Sequence, residues 1–169
     1  MKEKKQIKYL VEGAIIAALY VVLTEIANLA GLASGVIQVR LSEALTILPL
    51  FTNAAVPGLT IGCVLANILT GCAMWDVVFG SLATLLGAAG TYLIGRYVKN
   101  KDIRIWTAPL PPIISNTLIV PWVLYLVYQM EGTIPFFMLT VGIGEVISAG
   151  ILGLMLYLAL RPHAKKLFA

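Results

Sequence analysis

The sequence predicts an all-α membrane protein, a bundle of six transmembrane helices with both termini cytoplasmic. Three observations predict it. Of the 169 residues, 60% are hydrophobic and 12% charged, whereas soluble domains carry about 45–50% apolar and roughly 25% charged residues. Residues 44–75, 77–95 and 105–130 contain no Asp, Glu, Lys or Arg, and an apolar run of about 18 residues already reaches across a bilayer. Finally, every lysine and arginine but Arg40 falls in one of three short clusters at predicted helix ends. The whole chain, 1–169, reads as one membrane domain.

The first helix covers roughly 8–28. Its basic start and apolar run imitate a signal peptide, but Glu12 interrupts the run, and keeping the helix makes the charge count work. A Gly-rich loop over 31–35 and the stretch 36–40 follow. The run 44–75 is too long for one straight span and short for two. Pro49 and the turn sequence Asn53-Ala54-Ala55-Val56-Pro57-Gly58 break it. That places a second helix at 42–53 and a third at 56–72. The fourth is expected over 76–97, the fifth over 106–129 and the sixth over 134–160, stopped by Pro162.

With the N-terminus inside, Lys2, Lys4, Lys5 and Lys8, then Arg96, Lys99, Lys101 and Arg104, then Arg161, Lys165 and Lys166 are all cytoplasmic. Only Arg40 is external, which is the asymmetry of the positive-inside rule. A single span over 42–72 would put the basic loop 96–104 outside, against that rule. A re-entrant hairpin over the same residues gives the same sidedness. The localisation this implies is multi-pass, in a cell membrane.

The net charge of +4 does not point to nucleic acid, because no basic face with interleaved aromatics exists. Cys63 and Cys72 fit no metal or redox spacing and read as small buried hydrophobes. One histidine, His163, lies past the last helix, which leaves no histidine triad and few zinc sites. No Walker loop, H-E-x-x-H or G-x-S-x-G occurs. We therefore expect no enzyme, no catalytic residue, no metal and no cofactor.

The carboxylates carry the functional signal. Glu25, Glu43, Asp76, Glu131 and Glu145 fall on the external half or deeper, a distribution suited to a cationic or donor-rich ligand. Glu145 lies about 16 Å into the sixth helix at 1.5 Å per residue, near the bilayer midplane. An ionisable group there marks a functional site unless it is a structural pair or a neutral acid. Asn116 lies at similar depth, followed by Pro121, which frees the Thr117 carbonyl. Asn67 sits nearer the external end. For both asparagines an interhelical hydrogen bond competes with ligand binding. Glu43 could be a first-turn acid or pair with Arg40, and Asp76 could be an N-cap; the alternative is ligand contact at one external cavity. Trp75, Trp122, Tyr125, Tyr128 and Phe136 form an interfacial aromatic belt. Trp75, next to Asp76, is the stacking candidate for a flat ligand.

Small residues recur at four-residue spacing, in Ala14 and Ala18, Gly13 and Ala17, and Gly58 and Gly62. Such pairs admit close helix packing, within the bundle or with a partner.

The run from Ala14 to Thr24 resembles the first helix of bacterial energy-coupling factor (ECF) transporter S components. The runs Gln38-Val-Arg-Leu-Ser-Glu-Ala-Leu-Thr-Ile-Leu-Pro49, Gly62-Cys-Val-Leu-Ala-Asn67 and Asp76-Val-Val-Phe-Gly-Ser-Leu-Ala-Thr84 resemble the QueT family, proposed transporters of queuosine precursors. The resemblance covers nearly the whole chain. It implies a solute-binding subunit of an ATP-driven importer in the bacterial cytoplasmic membrane, without an ATPase of its own. Its partners would be an energy module of one transmembrane coupling protein and two ATPases, with Ala14 and Ala18 facing the coupling protein. The solute would bind near the external side, under the loop over 29–41. A 7-deazaguanine such as preQ1 or queuine presents neighbouring N–H donors that a carboxylate accepts as a fork. On chemistry and depth, Glu145 or Glu43 suits that edge, Asn67 and Asn116 are further partners, Asp76 suits an amine, and Arg40 lies in the motif run. Another vitamin or purine-like solute, an autonomous proton-coupled transporter using Glu145, and an assembly subunit are the competing readings.

Overall fold

The computed structural model describes residues 2–32 and 37–168. The expected loop over 31–35 falls largely outside the described residues. Most of the described residues are helical, and no strand occurs among them. Helix α1 is Lys2–Leu29; a 3₁₀ helix, Leu41–Leu50, follows; then come α2 (Ala55–Leu69), α3 (Met74–Tyr97), α4 (Lys101–Thr107), α5 (Leu110–Leu126) and α6 (Ile134–Glu145). A π-helical segment, Val146–Leu152, leads into α7 (Gly153–Leu160), a 3₁₀ turn Arg161–His163 and α8 (Ala164–Phe168). Four helical stretches are long and apolar enough to cross a membrane: Glu3–Leu29, Met74–Tyr97, Lys101–Leu126 and Ile134–His163. Leu41–Leu50 and Ala55–Leu69 are shorter apolar helices.

The long charge-free run is therefore broken where Pro49 and the Asn53–Gly58 sequence suggest. The 3₁₀ helix has an unusual length, since 3₁₀ runs beyond about 3–4 residues are uncommon. At about 2.0 Å per residue it reaches roughly 20 Å, less than the ~30 Å of a hydrocarbon core. Every residue from Ser42 to Pro49 is buried. The helix is enclosed by α1, α3, the π segment and α7, so irregular backbone is sheltered by protein, the condition under which it is tolerated at membrane depth. The turn after it is fastened to α1. Thr52 Oγ1 donates to Glu12 Oε2 at 2.6 Å and accepts from the Ala54 N–H at 3.2 Å. Glu12 also pairs with Lys8 at 3.7 Å.

Two close crossings set the bundle. Helix α1 meets α2 through the predicted small residues. A Cβ added at Gly58 would lie 2.7 Å from the Gly13 carbonyl oxygen, and one at Gly62 would lie 2.7 Å from Tyr20 Cβ and 3.0 Å from Ala17 Cα. Gly13 and Ala17 are thus packing residues inside the chain, while Ala14 and Ala18 lie on the exposed face of α1. Helix α3 meets α5 through Gly87 and Gly90, where added Cβ atoms would come within 2.6 Å of Pro112 and 2.5 Å of Pro111. Pro112 has no N–H and leaves the Ala108 carbonyl without its helical donor; Thr91 Oγ1 supplies one at 2.8 Å.

Several boundaries differ from expectation by a few residues, three of them for a visible reason. Helix α1 starts six residues earlier, because Lys4, Lys5 and Lys8 are exposed and good helix formers. The fifth stretch starts at Lys101 rather than 106, since the Asn100 side chain caps it by accepting from Asp102 N and Ile103 N at 2.9 and 3.3 Å. Pro162 does not stop the last helix. It sits in the first positions of the 3₁₀ turn, where a missing N–H costs nothing, and helix resumes at Ala164.

Gly62→Val should lower the thermal midpoint of the detergent-solubilised protein, by about 1–3 kcal/mol of overpacking, because backbone on α1 blocks the new side chain. Gly142→Ala, whose Cβ would meet the Thr117 side chain at 3.4 and 3.6 Å, should leave the midpoint nearly unchanged. Equal effects would remove the α1–α2 crossing as the cause.

Candidate functional site

Helix α1 contributes one stripe to the interior. Tyr20, Thr24, Ala27 and Asn28 recur at helical spacing and line one side of a cavity of about 390 Å³. Gln38, Arg40 and Ser42 line it from the segment entering the 3₁₀ helix, Asn67, Thr70 and Cys72 from the end of α2, and Asp76 from the start of α3. Leu124, Tyr128 and Met130 close it from the end of α5. These are the helix ends that the charge count leads us to expect on the external side.

Below the cavity lies a buried polar cluster. Glu43 is 1% exposed, and its Oε1 accepts from the Tyr20 hydroxyl at 2.5 Å. Thr84 Oγ1 lies 3.5 Å from the same oxygen. Thr24 donates to Ser42 Oγ at 2.9 Å, tying α1 to the 3₁₀ helix beside this bond. Asn116 is buried, donates from Nδ2 to the Pro112 carbonyl at 3.1 Å, and interacts with both the Glu43 and Glu145 carboxylates. Glu145 ends α6 and borders a cavity of about 10 Å³ with Gln38, Arg40, Val120 and Val141. That is room for about one water. Among the described residues, Glu43 Oε2 and Glu145 Oε2 have no hydrogen-bond partner, an expensive state for a buried carboxylate that nothing else satisfies.

Asp76 is not the cap of its helix. Ala73 holds that position, with no side-chain cap bond. Asp76 Oδ2 accepts from the Tyr128 hydroxyl at 3.0 Å, and the same hydroxyl accepts from the Ala73 N–H at 3.1 Å. Burial, with Asp76 adding to it, pushes the Tyr128 phenol up to about 12, so it remains a donor at neutral pH. Tyr128 thus latches α5 to α3 at the cavity's edge. Asn67 Nδ2 approaches the Asp76 carbonyl at 3.4 Å. Gly80 makes room for both side chains, since a Cβ there would lie 3.1 Å from Asn67 Nδ2 and 3.3 Å from Asp76 Oδ1.

Arg40 is placed by its backbone. Its N–H donates to Ser148 Oγ at 3.1 Å, and the neighbouring Gln38 carbonyl rests on Gly144, where an added Cβ would lie 2.1 Å from it. The local Arg40–Glu43 pair does not form: among the described residues no ion pair within 4 Å joins them. Arg40 lines both cavities instead.

The structure brings Arg40, Asn67 and Asp76 to the large cavity, sets Glu43 and Asn116 beneath it, and puts Glu145 on the small one. Trp75 is the exception. It is 60% exposed, stacks on Phe79 at 5.9 Å, and lines a separate apolar groove of about 770 Å³ with Leu118 and Trp122. Adjacent helical residues diverge by about 100°, so an inward Asp76 turns Trp75 outward. The aromatic rings in the cavity are Tyr20 and Tyr128. The Tyr20-Thr24-Asn28 spacing is a sequence signal for the first; Tyr128, one of several interfacial aromatics, has none.

Tyr20→Phe removes a single oxygen and leaves Glu43 Oε1 with only the long 3.5 Å contact from Thr84. We expect a lower unfolding midpoint, worth about 1–3 kcal/mol, measured by thermal melting in detergent. An unchanged or raised midpoint would show that the bond is not holding Glu43.

Residues 10–162 match the family model described as QueT transporter. A curated relative, the queuosine precursor transporter QueT of Lactococcus lactis subsp. cremoris (strain MG1363), is 37% identical over 99 residues, which is 57% of this chain and 56% of the relative. The match therefore takes in little more than half of that protein's length. No solved structure matches.

Proposed function

Since the chain belongs to the QueT transporter family, we propose that it is the membrane-embedded, solute-binding S component of an ATP-driven ECF importer for a queuosine precursor. The chain crosses the bacterial cytoplasmic membrane six times, the two shorter helices completing the count, with both termini inside. One observation carries the binding reading. An otherwise apolar bundle encloses a cavity of about 390 Å³ lined by Tyr20, Arg40, Asn67, Asp76 and Tyr128, at the ends assigned to the outside. That volume suits one small flat solute. Tyrosine faces give it a stacking surface, and carboxylate and amide groups accept the N–H donors of a 7-deazaguanine. Asp76 receives the cationic amine that some of these bases carry. Glu43 and Glu145, with Asn116 between them, supply acceptors at the inner end.

The energy comes from a partner. The exposed stripe of α1 bearing Ala14 and Ala18 takes no part in the internal α1–α2 crossing, which leaves it open to the coupling protein of an energy module. The buried, unpartnered Glu145 Oε2 favours one rival, a proton-coupled carrier working alone.

A thermal-shift panel of 7-deazaguanines, purines and common vitamins on the purified chain tests the solute. Stabilisation by a 7-deazaguanine is expected; stabilisation by another vitamin only would reject the substrate. Reconstituted without partners or ATP, the chain should show no uptake, and uptake under those conditions would favour the proton-coupled carrier. Ala14→Trp and Ala18→Trp should keep solute affinity while abolishing uptake with the energy module. Retained uptake would take this stripe out of the partner interface.

A further inference from the structure

Arg40 is a cation in the wall of the binding cavity with nothing to hold. A guanidinium carries five N–H donors. Among the described residues no side-chain hydrogen bond and no ion pair within 4 Å engages it. Asp76, Tyr20 and Glu43 act on it electrostatically without direct pairing. It is not a loose surface arginine either. The Ser148 hydroxyl holds its N–H at 3.1 Å, and the Gly144 contact fixes the Gln38 carbonyl two residues before it. The backbone is clamped to the sixth helix while the side chain faces both cavities.

A solute that fills the cavity shuts solvent away from these donors. Unless the solute brings an acceptor, a charged group is left buried and unpaired, which costs more than a neutral orphan. An anionic group would meet that need but would stand among the buried carboxylates Glu43, Asp76 and Glu145. A neutral carbonyl meets it without that repulsion. The carboxylates in turn call for donors. The complementary ligand edge is therefore mixed, a carbonyl oxygen flanked by N–H groups.

We propose that Arg40 is a specificity-determining residue that donates to the ring carbonyl of the bound base and rejects analogues carrying an amine at that position. This rests on the deazaguanine reading above. In a 7-deaza ring the neighbouring ring nitrogen is absent, so the carbonyl is the acceptor on that side, and the two-point contact arginine makes to guanine reduces to this oxygen. Replacing the carbonyl by an amine sets donors against donors and leaves the guanidinium unpaired, a mismatch that sites built on hydrogen bonds discriminate strongly.

The test measures affinities by calorimetry on the purified full-length protein. The ligands are 7-aminomethyl-7-deazaguanine and its 2,6-diamino counterpart, which differ in the 6-substituent and, with it, in the proton on the adjacent ring nitrogen. The wild type should prefer the carbonyl compound by about a hundredfold or more. In Arg40→Met that preference should fall by about thirtyfold, mainly through weaker binding of the carbonyl compound, and what remains reports the ring N–H that the carboxylates accept. Arg40→Lys, which keeps the charge but loses the planar fork, should show a preference about tenfold smaller than the wild type; it carries the comparison if the methionine variant does not fold. A wild type that binds both compounds equally, or variants that keep the wild-type ratio, would overturn the role of Arg40 alone. A wild type that binds neither compound would instead overturn the deazaguanine reading, and this inference with it.

Discussion

The bond from Tyr20 to Glu43 is the constraint around which the interior is arranged. A carboxylate in an apolar bundle needs donors from the protein, and the first helix supplies one through a phenol. That demand fixes the rotation of α1, because Tyr20 must face inward. It also brings the 3₁₀ helix against α1, where Thr24 and Ser42 add a second bond. Gly58 and Gly62 let α2 approach the same stripe of α1 closely enough to seal it. The cavity is what remains above this seal, where α1, α2 and the start of α3 diverge.

The same economy explains the short 3₁₀ helix. An exposed helix of its length would leave polar backbone in lipid. Buried from Ser42 to Pro49, it acts as a plug that carries Glu43 to the centre of the bundle. The segment that enters it is held by Gly144 of α6 and Ser148 of the π-helical segment. Such bulges occur often at functional sites, and here the irregular turn begins one residue after Glu145. Arg40 and Glu145 are thus positioned by one contact surface.

The sequence was informative about depth and poor about direction. Glu43, Asp76, Glu145, Asn67 and Asn116 stood out because a polar group in an apolar run needs a reason, and all five are buried. Their hydropathic context says nothing about partners: of the readings open for Asp76 the cap does not form and a bond to Tyr128 does, and Arg40 and Glu43 do not pair within 4 Å. Trp75 was chosen for its neighbour in the chain, but one step along a helix changes the face. Tyr20 was overlooked as one more large side chain in a spanning run, although its spacing with Thr24 and Asn28 marks a polar stripe.

Composition and charge pattern by themselves determined that this is a helical membrane protein, because long charge-free runs and clustered basic ends answer to the bilayer and not to any particular packing. The break in the 44–75 run was equally local, written in proline and turn residues. Which helix faces which, and therefore which tyrosine meets Glu43 and which hydroxyl holds the Arg40 N–H, was decided only in three dimensions. Those pairings join residues 23 to 108 positions apart, and close glycine contacts between helices, not any local preference, set their register.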